Sequence, residues 1–182
     1  MKHLFALIIL AVAIQSCKKE QDPFLISKQN IGLLTDSTQV KTIASIYAND
    51  SVVKRVGGKA FTGAVNDIEI YTKDGKQLLA LTPNEALDST ATINTIKILD
   101  SRFKTEKNIT INSNFKDIQD NYTISGIQNT ITNVVVFVNE INAFFTIDKK
   151  ELPGELRFNT TAKIEAVNIP GDSKIKYFMI GW

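Results

Sequence analysis

Two segments of the chain match each other at a nearly constant offset. Residues 27–31 (Ser-Lys-Gln-Asn-Ile) correspond to residues 105–109 (Thr-Glu-Lys-Asn-Ile), 78 positions later. After a gap of three residues the offset is 75, and three more positions correspond: Val40 with Phe115, Ile43 with Ile118 and Tyr47 with Tyr122. An amphipathic helix repeats apolar residues at this spacing by itself, but it does not account for the shared Asn-Ile pair. We therefore predict two copies of one strand–helix–sheet unit, within residues 27–104 and 105–182, with coincidence as the alternative.

The rest of the pattern favours an antiparallel sheet. Residues 66–72 alternate in polarity, and Asp74-Gly75 predicts a tight turn into a second strand at 77–81. Residues 133–138 are apolar on both faces, which predicts a central strand. Further strands are predicted at 95–99, 143–147, 163–167 and 174–180, the last leading to Trp182, which we expect to pack on the core.

Two short helices are predicted at corresponding places. Asp36-Ser37-Thr38 is predicted to cap the first, and Ser113-Asn114 the second. Their apolar stripes are Val40, Ile43, Ala44 and Tyr47 in the first helix, and Phe115, Ile118 and Tyr122 in the second. The predicted fold class is therefore α+β: one domain, residues 27–182, with a mainly antiparallel sheet and two short helices.

The N-terminus has the pattern of an exported protein. Met1-Lys2-His3 precedes an uncharged apolar run from Leu4 to Ile14, which is shorter than the roughly 20 residues that a bilayer-spanning helix needs. This predicts a signal peptide at residues 1–16; the alternative is a buried N-terminal helix. The sequence Ile14-Gln15-Ser16-Cys17 resembles the lipobox of bacterial lipoproteins. That resemblance implies cleavage before Cys17 and acylation of Cys17, and residues 17–26 then form a flexible tether.

The residues left after this cleavage exclude several kinds of site. His3 is the only histidine and leaves with the signal peptide, while Cys17 is the only cysteine and is acylated. Catalytic triads and dyads that use His or Cys, disulfides, and zinc, copper or haem sites that need these ligands are therefore excluded. The mature chain has 20 basic and 19 acidic residues, which gives no electrostatic reason to bind nucleic acid. No cofactor and no metal are predicted.

Carboxylates are the remaining candidate acids and bases. The candidates are Asp67, Glu69, Asp100, Asp117, Asp120, Glu140, Asp148, Glu151 and Glu155. A glycosidase needs two of them facing each other at about 5–10 Å, and no motif places any pair so. We expect all of them to be solvated surface charges, with Glu151 and Glu155 flanking an exposed turn at Pro153-Gly154. Gly57-Gly58 is interpreted as a flexible turn.

The chain resembles known lipoproteins in the segments that carry the repeat. From Ile31-Gly32 through Tyr47, and from Asp100 through Tyr122, it resembles small uncharacterised lipoproteins of the Bacteroidota. It is more distantly similar to the tandem helix-plus-sheet units of β-lactamase-inhibitor-like proteins and to small lipoproteins of the outer-membrane assembly machinery. Three Asp-Ser-Thr or Asp-Ser-Val triplets, at Ser37, Ser51 and Ser89, resemble O-glycosylation acceptors of the Bacteroidota; a helix cap is the alternative at Ser37.

These observations together favour one function class. The resemblance implies a lipid-anchored protein of the outer membrane, on its periplasmic or cell-surface face, held in the bilayer by acylated Cys17. We predict a non-enzymatic envelope module that binds a protein, peptide or glycan, or has a structural role. The alternative is a hydrolase that acts through carboxylates on envelope or dietary glycans.

Cys17→Ser removes the predicted acylation site, and we expect the variant protein to leave the membrane fraction. His3→Ser, which alters the signal peptide but keeps the lipobox, is the matched control and should stay with the membranes. Fractionation of cells and mass spectrometry of the N-terminal peptide provide the measurement. A Cys17→Ser protein that still sediments with membranes, together with a wild-type peptide that carries no lipid, would show that the assignment is wrong.

Overall fold

The computed structural model describes residues 21–55 and 66–182. The signal peptide, Cys17 and Gly57-Gly58 lie outside the described residues. The described chain forms an eight-stranded antiparallel sheet, a small four-stranded sheet and three helices, with these bounds: β1 Leu25–Ile26, β2 Asn30–Ile31, β3 Leu34–Thr35, α1 Val40–Ile46, β4 Ser51–Lys54, β5 Ile68–Tyr71, β6 Gln77–Pro83, β7 Ile93–Ile98, β8 Lys104–Thr105, α2 Phe115–Asn121, β9 Gly126–Asn129, β10 Asn133–Val138, β11 Ala143–Asp148, α3 Gly154–Arg157 and β12 Ile175–Gly181. The predicted α+β class, with a mainly antiparallel sheet, is confirmed. Within the described ranges, no helix combines the length and apolar character needed to cross a bilayer.

The large sheet consists of two meanders of four strands. Its order is β4-β5-β6-β7-β12-β11-β10-β9, so each helix is followed by four consecutive strands, and the two sets meet at β7 and β12. Helices α1 and α2 are both seven residues long and start 75 positions apart, as do β4 and β9. The helix positions predicted to correspond are equivalent: Ile43 and Ile118 are fully buried, and Tyr47 and Tyr122 each end their helix with the amide bonded to the carbonyl of that isoleucine. The order of elements is that predicted for a repeated unit; its origin by tandem duplication stays a prediction.

The start of each helix is fixed to the chain that leads into the fourth strand of its own unit. The amides of Val40 and Lys41 donate to the carbonyls of Ala91 and Ser89, at 3.0 and 2.8 Å. The second unit repeats both bonds with the same lengths: Phe115 to Ser173 at 3.0 Å, and Lys116 to Gly171 at 2.8 Å. The first amides of a helix have no partner within it, so these bonds satisfy donors that would otherwise need a cap or water.

The two meanders are related by an approximate two-fold axis through the β7–β12 pair. Lys97 lies directly opposite Met179, and the flanking pairs are Ile96 with Ile180 and Ile98 with Phe178. A rotation that exchanges Lys97 and Met179 also exchanges these two flanking pairs. The joint is therefore built from equivalent strands of the two units.

The approach to the helices does not obey this symmetry. Asn30–Ile31 forms β2, which pairs with β1 and β3, whereas Asn108 has a positive φ of 60° and Ile109 lies outside any strand. The strand that precedes the second helix, β8, pairs in parallel with β1. The matching Asn-Ile dipeptides therefore do not occupy equivalent strands, although both isoleucines are buried. Structural equivalence begins just before the helices, where the amides of Thr35 and Thr110 each donate to the hydroxyl three residues later.

The predicted tether was too long at its C-terminal end. Leu25–Ile26 forms β1, Ile26 is fully buried, and the Phe24 ring lies 5.1 Å from that of Phe103. The apolar Phe-Leu-Ile run follows the charged residues directly and packs as soon as strand partners are available. The fold therefore includes Phe24, Leu25 and Ile26, which the sequence pattern places in the tether.

Three local predictions were wrong. Residues 163–167 alternate in polarity but form no strand, because Ala166–Asn168 is a 3-10 turn closed by reciprocal bonds between Glu165 and Asn168. Strand β10 is second from the edge, and its apolar residues alternate between a buried face and a half-exposed one. Pro153-Gly154 begins the short helix α3 instead of a turn.

The two helices are capped differently. Asn114 caps α2, with its side chain accepting from the Asp117 amide while Asp117 accepts from the Asn114 amide. The N-cap of α1 is Gln39, whose side chain makes no capping bond. Thr38, a member of the predicted cap, instead accepts a hydrogen bond from the Thr35 amide. The predicted cap is confirmed for the second helix and was wrong for the first.

Ala44 of the first predicted stripe is exposed. The Asp74-Gly75 hairpin is confirmed, with Gly75 at φ 85°.

Asn114→Ala should lower the free energy of unfolding by about 1 kcal/mol, since it removes the capping box of α2. Gln39→Ala, at the equivalent position of α1, is the matched control and should change it by less than about 0.5 kcal/mol. Urea unfolding monitored by circular dichroism measures both. Equal losses in the two variants would contradict the difference in capping.

Candidate functional site

One face of the large sheet carries the core, and the other carries a row of half-exposed side chains. The core face contains Ile68, Ile70, Leu79, Ile96, Phe145 and Phe178, all buried. The strand register places the following residues in one row on the opposite face, here called the open face: Val53, Glu69, Ala80, Lys97, Met179, Phe144, Phe137 and Gly126. The row crosses all eight strands, and the alternation of strand side chains is what separates it from the core.

The apolar part of this row lies in the second meander. The rings of Phe137 and Phe144 are 6.3 Å apart, and Met179 pairs with Phe144 across β11 and β12. Lys97 Nζ lies 3.9 Å from the centre of the Tyr177 ring, which is the distance of a cation–π contact. These five residues, Lys97, Phe137, Phe144, Tyr177 and Met179, are called the open-face patch. Each aromatic or sulfur-containing side chain in the patch is half-buried, because the members shield one another.

Two glycines leave the flanks of the phenylalanine rings uncovered. A Cβ on Gly181 would lie 3.6 Å from Phe144, and a Cβ on Gly126 would lie 3.9 Å from Phe137. Side chains at either place would stand beside the rings and cover part of them. The glycines therefore keep the patch accessible from the side.

Lys97 has no carboxylate partner within the described residues. Ion pairs in that part of the chain involve Lys76, Lys107, Lys116, Lys163, Lys176, Arg55 and Arg102. Among the residues that the structure describes, the charge at the middle of the open face is therefore balanced only by the face of an aromatic ring.

Asp100 is the clearest departure from the predicted surface carboxylates. Its side chain is 0 % exposed and receives four bonds: from the Arg102 amide at 2.8 Å, from Arg102 Nε and Nη2 at 3.1 and 3.0 Å, and from Lys76 Nζ at 2.9 Å. Burial alone would raise the pKa of Asp100, but the bonds from Arg102 and Lys76 outweigh it and hold the pKa at about 2. Arg102 also lies over the Phe24 ring, at 4.6 Å. Asp100 therefore connects to the N-terminal segment through Arg102. The prediction of a solvated charge was wrong, because the fold brings Lys76 of the β5–β6 hairpin onto the same carboxylate as the neighbouring Arg102.

The other predicted carboxylates are spread over the molecule, and most of them are already paired. Glu69 accepts from Tyr71 and Arg55, Glu140 from the Thr123 amide and Lys107, and Asp148 from the Lys150 amide and Lys176. These bonds lower the pKa of all three groups. Asp117 caps α2, Asp120 pairs with Lys116, and Glu151 and Glu155 lie in the region of α3.

A cavity of about 150 Å³ lies between the start of α1 and the corner of the sheet where β4 ends. Its apolar walls include Val40, Ile68 and Pro83, and Lys54 and Arg55 also line it. It contains two carboxylates, and both are engaged: Asp67 accepts from Thr82, and Asp88 accepts from the amide and hydroxyl of Thr90. The Thr90 amide is the main cause of a lowered pKa at Asp88, which is opposite to the shift that a general acid needs.

Within residues 21–55 and 66–182, no group of three or more His, Cys, Asp or Glu side chains converges on a possible metal position.

Sequence reasoning missed the open-face patch, although its signal was present. The apolar run at 133–138 predicts a central strand, and the run at 143–147 predicts a further strand, whereas Phe137 and Phe144 of these runs lie in the open-face patch.

Comparison with known proteins gives a fold but no family. No family model and no curated protein matches the sequence. The structure is similar to the crystal structure of the uncharacterized protein yfeY from Escherichia coli, with a TM-score of 0.58 and 17% sequence identity over 86% of this chain and 99% of that one. The likeness therefore extends across both meanders.

Asp100→Asn should reduce the free energy of unfolding at pH 7 by about 2 kcal/mol, since it removes the charge that Arg102 and Lys76 bind. The folded pKa lies below the unfolded value of about 3.9, so the stabilisation is complete above that value and is lost as the pH falls towards 2. Wild type and variant should therefore converge in urea unfolding between pH 5 and pH 2. Asp120→Asn, which breaks an exposed helix pair, should cost less than about 0.5 kcal/mol. A difference independent of pH would contradict a role for the Asp100 charge.

Proposed function

We propose that this chain is an outer-membrane lipoprotein, anchored through acylated Cys17, whose folded part binds a partner protein at the open-face patch without catalysing a reaction. The observation that carries the proposal is the row of half-exposed aromatic and sulfur-containing side chains around Lys97, which has no ion-pair partner among residues 21–55 and 66–182. The anchoring part is supported by the signal-peptide pattern and the lipobox resemblance.

The patch has the composition of a binding surface. Aromatic residues and methionine are enriched at the centres of protein interfaces, whereas an ordinary surface is richer in lysine and glutamate. Each Å² of apolar surface removed from water contributes about 25 cal/mol, so the remaining exposure of these large side chains is a gain available to a partner. Because the side chains are already held by one another, little further ordering is needed when they are covered.

The charge of Lys97 specifies the chemistry of the partner. A lysine that is covered by a partner must keep an acceptor, because burying an unpaired ammonium group is strongly unfavourable. We therefore expect the partner to present an aspartate or glutamate surrounded by apolar side chains. Phe137, Phe144 and Met179 would contact the apolar side chains, and Lys97 would bind the carboxylate.

Site-specific photo-crosslinking in the anchored, full-length chain tests this. A photoreactive phenylalanine at position 137 or 144 should give a discrete crosslinked envelope protein, and Lys97→Glu should reduce that product at least tenfold. Lys41→Glu is the matched control, since Lys41 lies on the exposed side of α1, away from the open face. The control variant should give the wild-type yield.

Two results would overturn the proposal. One is equal crosslinking of the Lys97→Glu and Lys41→Glu chains, or none in either. The other is hydrolase turnover by the purified chain that is insensitive to chelators and disappears on changing one acidic residue, which would support the carboxylate hydrolase instead. A product of crosslinking to glycan alone would show that the partner class is wrong.

A further inference from the structure

The two edges of the large sheet differ, although the two meanders are otherwise equivalent. At one edge, the segment that follows α3 lies beside β9: Asn129 Nδ2 donates to the carbonyls of Asn159 and Ala162, and Ile127 and Ile164 line one groove. At the other edge, β4 pairs with β5, and the described chain has no counterpart of that covering segment. An uncovered strand edge is a template for another strand, and proteins commonly cover or block it.

The outward main-chain groups of β4 can be identified from its register with β5. The Arg55 amide donates to the Asp67 carbonyl at 2.9 Å, so the pair 55–67 is of the hydrogen-bonded kind. Because such pairs alternate in an antiparallel ladder, Ser51 and Val53 also bond β5, and the amides and carbonyls of Val52 and Lys54 point to the edge. Two consecutive bonding positions are thus available to an added strand.

The 150 Å³ cavity lies at the same corner, since Lys54 and Arg55 line it. Beside its polar lining residues, the cavity has apolar walls formed by Val40, Ile68 and Pro83, and a cavity of this volume holds a group the size of a benzene ring. Leu87 also lines it, with 77 % of its surface exposed and with φ at 64°, a left-handed conformation that a bulky side chain rarely adopts. Such conformations persist where the surroundings impose them and are concentrated at binding sites.

We propose that β4 and this cavity form a second site, which takes an extended peptide segment of a partner protein. The peptide pairs with the outward groups of Val52 and Lys54 as a ninth strand, and it places one phenylalanine or leucine side chain in the cavity under Leu87. Lys54 forms no ion pair within the described residues, so an acidic residue of the peptide lies next to it. Main-chain bonds give such complexes affinity, and the side-chain pocket gives them specificity.

The test is selection of random heptapeptides displayed on phage against the full mature chain, followed by binding measurements on synthetic copies by fluorescence anisotropy. We expect enriched peptides to combine one Phe or Leu with an Asp or Glu. N-methylation of alternate amides of such a peptide should weaken binding at least tenfold, while methylation of the amides between them has little effect. This readout leaves the protein unaltered.

Two pairs of variants locate the site. Val52→Pro removes an amide that the sheet does not use and should abolish binding, whereas Val52→Thr keeps the amide and should not. Lys54→Glu should weaken binding, whereas Lys97→Glu should leave it unchanged, which separates this site from the open-face patch. No enrichment over selection against the Val52→Pro chain, uniform sensitivity to N-methylation, or dependence on Lys97 in place of Lys54 would each overturn the proposal.

Discussion

The bonds between each helix start and the chain entering the fourth strand of its unit determine the rest of the structure. Helices of seven residues are marginal in isolation, because the free-energy cost of nucleating a helix exceeds the stabilisation that about two turns of hydrogen bonds provide. Here the first amides of α1 and α2 are bonded to carbonyls that lie more than 45 residues ahead in the sequence, so the helix and the last strand hold each other. Within each unit, these bonds connect the helix to the chain that enters the last strand of the meander. They hold the apolar stripes that end at Tyr47 and Tyr122 against one face of the sheet.

Covering one face by helices leaves the other face for function. Strand alternation separates the residues of each strand into a core set and an open-face set, and the second set contains Phe137, Phe144 and Lys97. The two proposed sites use different parts of the sheet. The open-face patch uses side chains in its middle, whereas the β4 site uses main-chain groups at its edge together with a cavity on the helix side. A chain that presents both could hold a compact partner and an extended segment at the same time.

The sequence predicted those features that depend on local pattern. The spacing of Ile118 and Tyr122 indicated α2, Asn114 indicated its cap, and Asp-Gly indicated the hairpin between β5 and β6. It failed where individual side-chain contacts decide. Asp100 is buried because Lys76 of the β5–β6 hairpin joins Arg102 at its carboxylate, and residues 163–167 form no strand because Glu165 and Asn168 close a 3-10 turn. The open-face patch was missed for a related reason. An apolar residue in a strand contributes to the same sequence pattern whether its side chain faces the core or a partner.

The pairing of Lys97 with Met179 bears on why the two units join each other within one chain. If the first unit paired with a second copy of itself in the same register, Lys97 would lie directly opposite Lys97, and like charges at facing positions of a sheet repel. In this chain the facing residues are instead a lysine and a polarisable thioether. The joint thus disfavours pairing between the first units of two different molecules, and it does so through a single cross-strand pair on the symmetry axis.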